Sequence, residues 1–166
     1  MAFPKTKSLM TGAELREMAD SARYELVDGE LIEMSPTKME HGRLEFRLAM
    51  LLAQFVDEHD LGEVMTGEVG IYIRRNPDTI RAADALFISH ERLEQATPDD
   101  FLDVAPELIV EIMSPSDRWN AVQKKLRDYF EIGVTAVLLV QPSNETILLY
   151  SRSEERRVGK ECRSRW

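Results

Sequence analysis

The strongest constraint on this chain is a pair of carboxylates, each on the apolar face of a predicted strand. Over Thr79–Ser89, period-two alternation surrounds Asp84 with alanine, leucine and isoleucine side chains. Over residues 107–113, the same alternation places Glu111 beside Ile109. A buried carboxylate normally persists only when it is paired or bound to a metal. If the two strands are neighbours, they predict a divalent cation held by oxygen ligands, Mg²⁺ or Mn²⁺ rather than zinc.

A lysine on the packed face of a predicted helix is the third unusual charge. The helix is expected to run to about Ile132, with Ser116 or Asp117 as its N-cap. Lys125 lies within its inward stripe, which consists of Ala121, Val122, Leu126, Tyr129 and Phe130. The side chains predicted to point away are Lys124, Arg127 and Asp128. A lysine on a packed face needs a negatively charged partner, and the two carboxylates on the sheet can supply it. A purely structural ion pair would explain the same pattern.

The remaining segments predict an α/β fold with a mixed central β-sheet flanked by helices. Thr11 and Glu14 have capping-box spacing and open a short helix to about Asp20. Asp28-Gly29 between two apolar runs predicts a hairpin. A long helix to about His59 follows, with an inward stripe of Leu44, Leu48, Leu51, Leu52 and Phe55. Further strands are expected over residues 63–73, 79–89, 107–113, 136–140 and 146–150.

Size and composition exclude several classes of protein. A chain of 166 residues is long enough for one domain with a sizeable core. The single cysteine, Cys162, excludes a disulfide framework and a cysteine zinc site. No apolar run reaches the length of a membrane span and no export signal is visible, so no membrane association and a cytoplasmic location are expected.

The C-terminal tail differs from the rest of the chain. Residues 152–166 hold six Lys/Arg and three Asp/Glu, so the preceding part carries a net charge of −12 against −9 for the whole. The tail has no helical or strand periodicity, and it resembles a reading frame of a short-read sequencing adapter. We therefore expect a non-native tail and a domain, residues 1–151, whose truncated C-terminus has lost a strand or two. The acidic body argues against broad, charge-driven binding to DNA.

Several segments, taken in order, resemble the Uma-two family of restriction endonucleases, within the PD-(D/E)XK nuclease superfamily. They are YELVDGELIEMSP, His41-Gly-Arg43, RAADALFIS, PELIVEIMSPSDR and KKLRDYFEIGV. The resemblance covers residues 24–150. It implies a restriction-endonuclease-like core, so residues 1–151 are expected to form a single nuclease-like domain.

The resemblance also implies site residues by position. The family's PD dipeptide falls on Ala83-Asp84, so the aspartate is kept and the proline is replaced. Its acidic strand residue falls on Glu111. The superfamily's usual lysine position is Met113, and in this family the lysine belongs to a K-x-x-x-Y pattern that matches Lys125 and its tyrosine. His41 matches a family position at the start of the long helix, and Glu45 shares its helix face.

These observations predict a Mg²⁺-dependent endonuclease that cleaves DNA. The predicted catalytic residues are Asp84, Glu111, Lys125 and His41, and the predicted metal ligands are Asp84 and Glu111. Double-strand cleavage would call for a homodimer. Two alternatives stay open: a catalytically inactive interaction or regulatory module with the same fold, and a hydrolase of another phosphorylated substrate. The hairpin around Asp28 is interpreted as architecture.

Overall fold

The structure, a computed structural model, describes residues 9–151 and the strand at 160–162. Its elements are α1 (Gly12–Arg16), β1 (Tyr24–Val27), β2 (Glu30–Glu33), α2 (Met39–Glu58), β3 (Gly62–Arg74), β4 (Thr79–Ser89), α3 (His90–Leu93), β5 (Leu108–Ile112), α4 (Trp119–Ile132), β6 (Ala136–Gln141), β7 (Thr146–Ser151) and β8 (Lys160–Cys162). Short 3₁₀ turns precede β1 and join β6 to β7. None of the described helices is long and apolar enough to cross a membrane. The predicted α/β fold with a mixed sheet is confirmed.

The central strand, β4, divides one of its two edges between two partners. Along one edge it pairs with β3 over nearly its whole length. On the other edge β1 pairs only at Ile80, and β5 pairs over residues 85–87. Among the described strands, residues 81–84 therefore have no ladder partner on that edge, and the sheet forks there. Beyond β5, β6 runs parallel and β7 and β8 complete the sheet in antiparallel pairs.

The two long helices cover opposite faces of the sheet. Ala49 of α2 belongs to one core cluster with Val110, whereas Leu126 of α4 belongs to another cluster with Ile109. Successive residues of a strand point to opposite faces, so Glu111 faces α4. The fork on β4 thus opens between α2 and α4.

Local sequence signals account for several boundaries. Thr11 and Glu14 form a complete capping box at the start of α1. Asp28 and Gly29, with φ of 52° and 77°, make the tight turn between β1 and β2 that an Asp-Gly pair favours. Gly133, with φ of 105°, ends α4 in the left-handed conformation.

Other expectations were wrong in detail. On α2 the buried side chains are Ala49 and Val56, whereas Leu51 and Phe55 of the predicted inward stripe are exposed. Helix α4 begins at Trp119, and Asp117 does not cap it. The Asp117 carboxylate instead accepts a hydrogen bond from the backbone N–H of Ser114.

Asp128, which was predicted to point away, is buried. The inward face of a helix is predicted from its apolar residues. A charged residue at the border of that face is therefore assigned to solvent unless a buried partner is known. Here Arg81 of β4 supplies that partner.

The tail contributes one strand that its lack of periodicity did not predict. β8 pairs with β7 at the edge of the sheet. Trp166 lies outside the described residues. The adapter origin of residues 152–166 stays a prediction.

Candidate active site

The fork in the sheet is bridged by the Asp84 side chain. This carboxylate is almost fully buried, with 5% of the residue exposed. Its Oδ2 accepts a hydrogen bond of 2.6 Å from the backbone N–H of Ile112 in β5. The side chain therefore joins β4 to β5 at the point where their backbone pairing has ended.

Glu111 is held from α4 by two side chains. Lys125 Nζ lies 2.9 Å from Oε2 of Glu111, and the hydroxyl of Tyr129 donates to Oε1 at 2.6 Å. The carbonyl oxygen of Ala82 lies 3.3 Å from the same hydroxyl. Because Asp84 binds the amide of the residue next to Glu111, the predicted Asp, Glu and Lys meet in one place.

The pKa of Glu111 is raised mainly by burial. Burial raises the pKa of Glu111 to about 7; Lys125 opposes this rise, and the charge on Asp84 adds to it. Burial would lower the pKa of Lys125, but the charges on Glu111 and Glu25 outweigh it and raise that pKa well above its ordinary value. The lysine is therefore a fixed positive charge beside a carboxyl group that is costly to ionise.

His41, at the start of α2, approaches Asp84 from the other helix. Its Nε2 lies 3.3 Å from Oδ1 of Asp84, close enough for an ion pair. The same nitrogen is buried, and among the described residues it has no partner in hydrogen-bonding geometry. The contact with Asp84 raises the pKa of His41 against the effect of burial. We name His41, Asp84, Glu111 and Lys125 together the carboxylate site.

A β-bulge brings a further acid towards this site. Thr66 pairs with Ala85 and Val69 pairs with Ala83, so Gly67 and Glu68 stand opposite the single residue Asp84. Both bulge residues have positive φ, 88° for Gly67 and 60° for Glu68. Burial and the charge on Asp84 raise the pKa of Glu68. Sequence reasoning missed this residue, although a glycine inside a predicted strand is the usual signal of a bulge.

Glu45 supports the bulge from α2. Its Oε1 accepts a hydrogen bond of 3.3 Å from the backbone N–H of Gly67. The shared helix face of His41 and Glu45 thus points at the bulge and the fork together.

A second group of charges, buried except for Arg74, adjoins the site, and sequence reasoning missed it as well. Arg81 lies between Glu25 and Asp128, at 2.7 Å and 2.6 Å. Arg74 lies 3.6 Å from the other oxygen of Asp128. We name Glu25, Arg74, Arg81 and Asp128 the arginine network. Glu25 also contacts the carboxylate site, because its Oε1 lies 3.3 Å from Nζ of Lys125.

The donor set suits a hard cation only if water and substrate complete the shell. No group of three or more metal-binding side chains occurs within the described part of the chain. Asp84 and Glu111 offer carboxylate oxygens, and Oδ1 of Asp84 is not used by the bond to Ile112. Mg²⁺ is commonly held by one or two carboxylates with waters and phosphate oxygens, so the residues present fit it.

A family model described as "Putative restriction endonuclease" matches residues 13–164. The chain belongs to the Uma-two family. The resemblance seen in the sequence is therefore confirmed, and with it a nuclease assignment at the level of the family.

A solved structure shows the same fold. The crystal structure of a "putative nuclease" from Anabaena variabilis superimposes with a TM-score of 0.74, covering 92% of this chain and 83% of that one. The two share 15% sequence identity, so this likeness concerns the Uma-two fold alone. No curated protein matches the chain.

Proposed function

We propose that this Uma-two protein is a Mg²⁺-dependent endonuclease that hydrolyses phosphodiester bonds of DNA. The observation that carries the proposal is the fork in the sheet, where Asp84 and Glu111 lie together with Lys125 fixed against them. A buried and a partly buried carboxylate with an adjacent amine suit the cleavage of a charged phosphodiester.

Asp84 and Glu111 are the residues that would hold the cation, Mg²⁺ or Mn²⁺. The carbonyl of Ile112 is a further candidate, because its N–H points at Asp84 and the two groups of one strand residue share an edge. A bound divalent cation polarises the phosphate and lowers the pKa of bound water. It also reverses the local field, through which an acidic protein can approach DNA.

Three side chains would act beside the cation. Lys125 places a positive charge where negative charge develops on the phosphate, and it can orient the attacking water. Tyr129 fixes the orientation of Glu111 through its hydroxyl. His41, whose Nε2 lies 3.3 Å from the remaining oxygen of Asp84, can orient that carboxylate.

A second candidate function is an inactive interaction module. The observation that favours it is that both carboxylate oxygens of Glu111 are already bonded by side chains of α4, one by Lys125 and one by Tyr129. The replacement of the family's proline by Ala83 points the same way. On this alternative the lysine is a structural partner and binds no substrate.

The test is cleavage of supercoiled plasmid with Mg²⁺, with Mn²⁺ and with chelator, by the parent protein and by Asp84→Asn. The endonuclease requires metal-dependent nicking that the variant lacks. Parallel reactions on single-stranded DNA, RNA and small phosphodiesters identify the substrate class. Linear product formed in a single binding event would indicate the homodimer that double-strand cleavage needs. Absence of metal-dependent cleavage of every substrate favours the inactive module.

A further inference from the structure

Glu25, a member of the arginine network, also contacts the carboxylate site. Its Oε2 accepts a hydrogen bond from Arg81 at 2.7 Å, and its Oε1 accepts one from the backbone N–H of Ala82 at 3.0 Å. The same Oε1 lies 3.3 Å from Nζ of Lys125. Glu25 comes from β1, in a hairpin that the sequence analysis interpreted as architecture.

Lys125 therefore has two carboxylate partners, Glu111 and Glu25, which differ in their other contacts. Glu111, at 2.9 Å, is a residue that would hold the cation in the proposed function. A divalent cation on Glu111 would compete with the amine for its oxygens and repel the amine. With Glu111 as its only partner, the lysine would leave the site when the cation arrived.

We propose that Glu25 is a positioning residue that retains Lys125 at the site while Glu111 holds a cation or faces a phosphate. This inference rests on the proposed function. Glu25 suits the task because it is almost fully buried and both its oxygens are anchored, one by Arg81 and one by the Ala82 amide. Its position is therefore independent of what Glu111 binds. The hairpin thus contributes a residue to the site.

Asp128 provides a matched control within the same network. Like Glu25 it is nearly buried, and like Glu25 it neutralises Arg81. The structure records no contact between Asp128 and Lys125 among the described residues. Glu25→Ala and Asp128→Ala each remove one of the two carboxylates on Arg81, but only the first also removes a partner of Lys125.

The kinetic test compares these two variants on plasmid DNA at saturating Mg²⁺. Glu25→Ala should lower kcat about 10- to 100-fold with little change in KM, as is usual for partners that orient a functional group. Asp128→Ala should lose a similar amount of stability and keep kcat within about threefold of the parent. If Glu25→Ala does not fold, Glu25→Gln, which keeps the side-chain shape, takes its place. Equal losses of kcat in the two variants would overturn the proposal.

A spectroscopic test makes the result independent of cleavage. In protein labelled with ¹³C-lysine, the Lys125 side-chain signal is assigned by its disappearance in Lys125→Met. In Glu111→Gln, which removes the first partner's charge, the signal should keep the shift of a buried lysine because Glu25 remains. In the double variant Glu25→Ala with Glu111→Gln it should move to the position of exposed lysines.

Failure of the proposed function and failure of the role of Glu25 give different results. A parent protein that cleaves nothing with Mg²⁺ overturns the proposed function, whereas the lysine signal still reports whether Glu25 retains Lys125. A signal that moves fully in Glu111→Gln alone would overturn the role of Glu25, whatever the cleavage assay gives.

Discussion

The arginine network and the carboxylate site are adjacent and each contains a fully or nearly buried carboxylate, yet their charges are balanced differently. In the arginine network each positive group faces a carboxylate at close range, and Arg81 lies between two of them. In the carboxylate site one lysine and one histidine face two carboxylates, with Glu68 held nearby by the bulge.

The pKa values of Glu25 and Glu111 are shifted in opposite directions. Burial would raise the pKa of Glu25, but Lys125 and Arg81 outweigh burial and lower it. Burial raises the pKa of Glu111, and here it prevails over Lys125. Neighbouring positive charges thus outweigh the effect of burial on the pKa of Glu25, but they do not outweigh its effect on the pKa of Glu111. Burial is common to both carboxylates, and it is the raised pKa of Glu111 that marks the carboxylate site as the candidate functional site.

The largest expected effect tests whether the lysine acts chemically. Lys125→Met keeps the apolar stem on the inward face of α4 and removes the charge, so the fold should survive. Plasmid cleavage should fall by about 10³-fold or more, as when a catalytic residue is removed. Added Mg²⁺ should raise the melting temperature of the variant at least as much as that of the parent, because the metal then neutralises Asp84 and Glu111. A fully active variant would place Lys125 with the structural charges.

The next effect concerns stability alone. Arg81→Met leaves Glu25 and Asp128 as buried carboxylates that have lost their shared partner, which should lower the free energy of unfolding by about 3–5 kcal/mol. Urea unfolding followed by circular dichroism measures it. Mg²⁺ should not restore this loss. A change below about 1 kcal/mol would mean that the network is not the balanced unit described above.

The pH dependence of stability should have opposite signs for Glu111 and Glu25. The folded pKa of Glu111, about 7, exceeds its ordinary value of 4.5, so the folded state retains a proton that the unfolded state releases. Its contribution to stability is thus complete below pH 4.5 and declines as pH rises to about 7, by up to about 3 kcal/mol. The folded pKa of Glu25 is lowered, so its contribution is present above the ordinary value and is lost as pH falls.

Melts from pH 4 to 8 on Glu111→Gln and Glu25→Gln measure these two slopes. The first variant should lose the decline with rising pH, and the second should lose the decline with falling pH. Identical pH profiles for the two variants would contradict the electrostatic contrast between the two groups.

The smallest effect comes from the neighbouring lysine. Lys124 lies 3.6 Å from Asp28, and both side chains are about half exposed. Lys124→Gln should change the free energy of unfolding by less than about 1 kcal/mol and leave cleavage unaltered, because exposed pairs are screened by water. Loss of cleavage here would show that charge anywhere on α4, and not the position of Lys125, matters.

Much of the fold followed from local patterns. The bounds of β4 agree with its alternation, and the Asp28-Gly29 turn and the Thr11 capping box were read directly from residue types. Glu111 and Lys125 could be paired from sequence because the face of each follows from the period of its own element. The two elements are also consecutive along the chain, so few neighbours compete for either residue.

The missed residues depend on contacts between distant segments. Alternation gives the face on which Glu25 lies, but it does not say that β1 shares an edge of β4 with β5. Glu68 escaped notice because the bulge interrupts the alternation on which strand reasoning depends. Asp128 was assigned to solvent because its partner, Arg81, is 47 residues away. Sequence periodicity thus predicted the direction of side chains, and tertiary pairing decided their partners.

The hairpin has a consequence for protein engineering. It docks on β4 through one backbone pair at Ile80 and through two side-chain hydrogen bonds, one at Thr79 beside the turn and one at Ala82, where Glu25 meets the carboxylate site. The Asp28-Gly29 turn is therefore separated from Asp84 by several residues of β4, at about 3.3 Å each. A peptide inserted at this turn would lengthen neither of the strands that frame the fork, but it would have to keep the backbone hydrogen bonds of Gly29 with Asp78 and Met10. At the other end of the hairpin, the environment of Lys125 would report whether such an insertion has disturbed the carboxylate site.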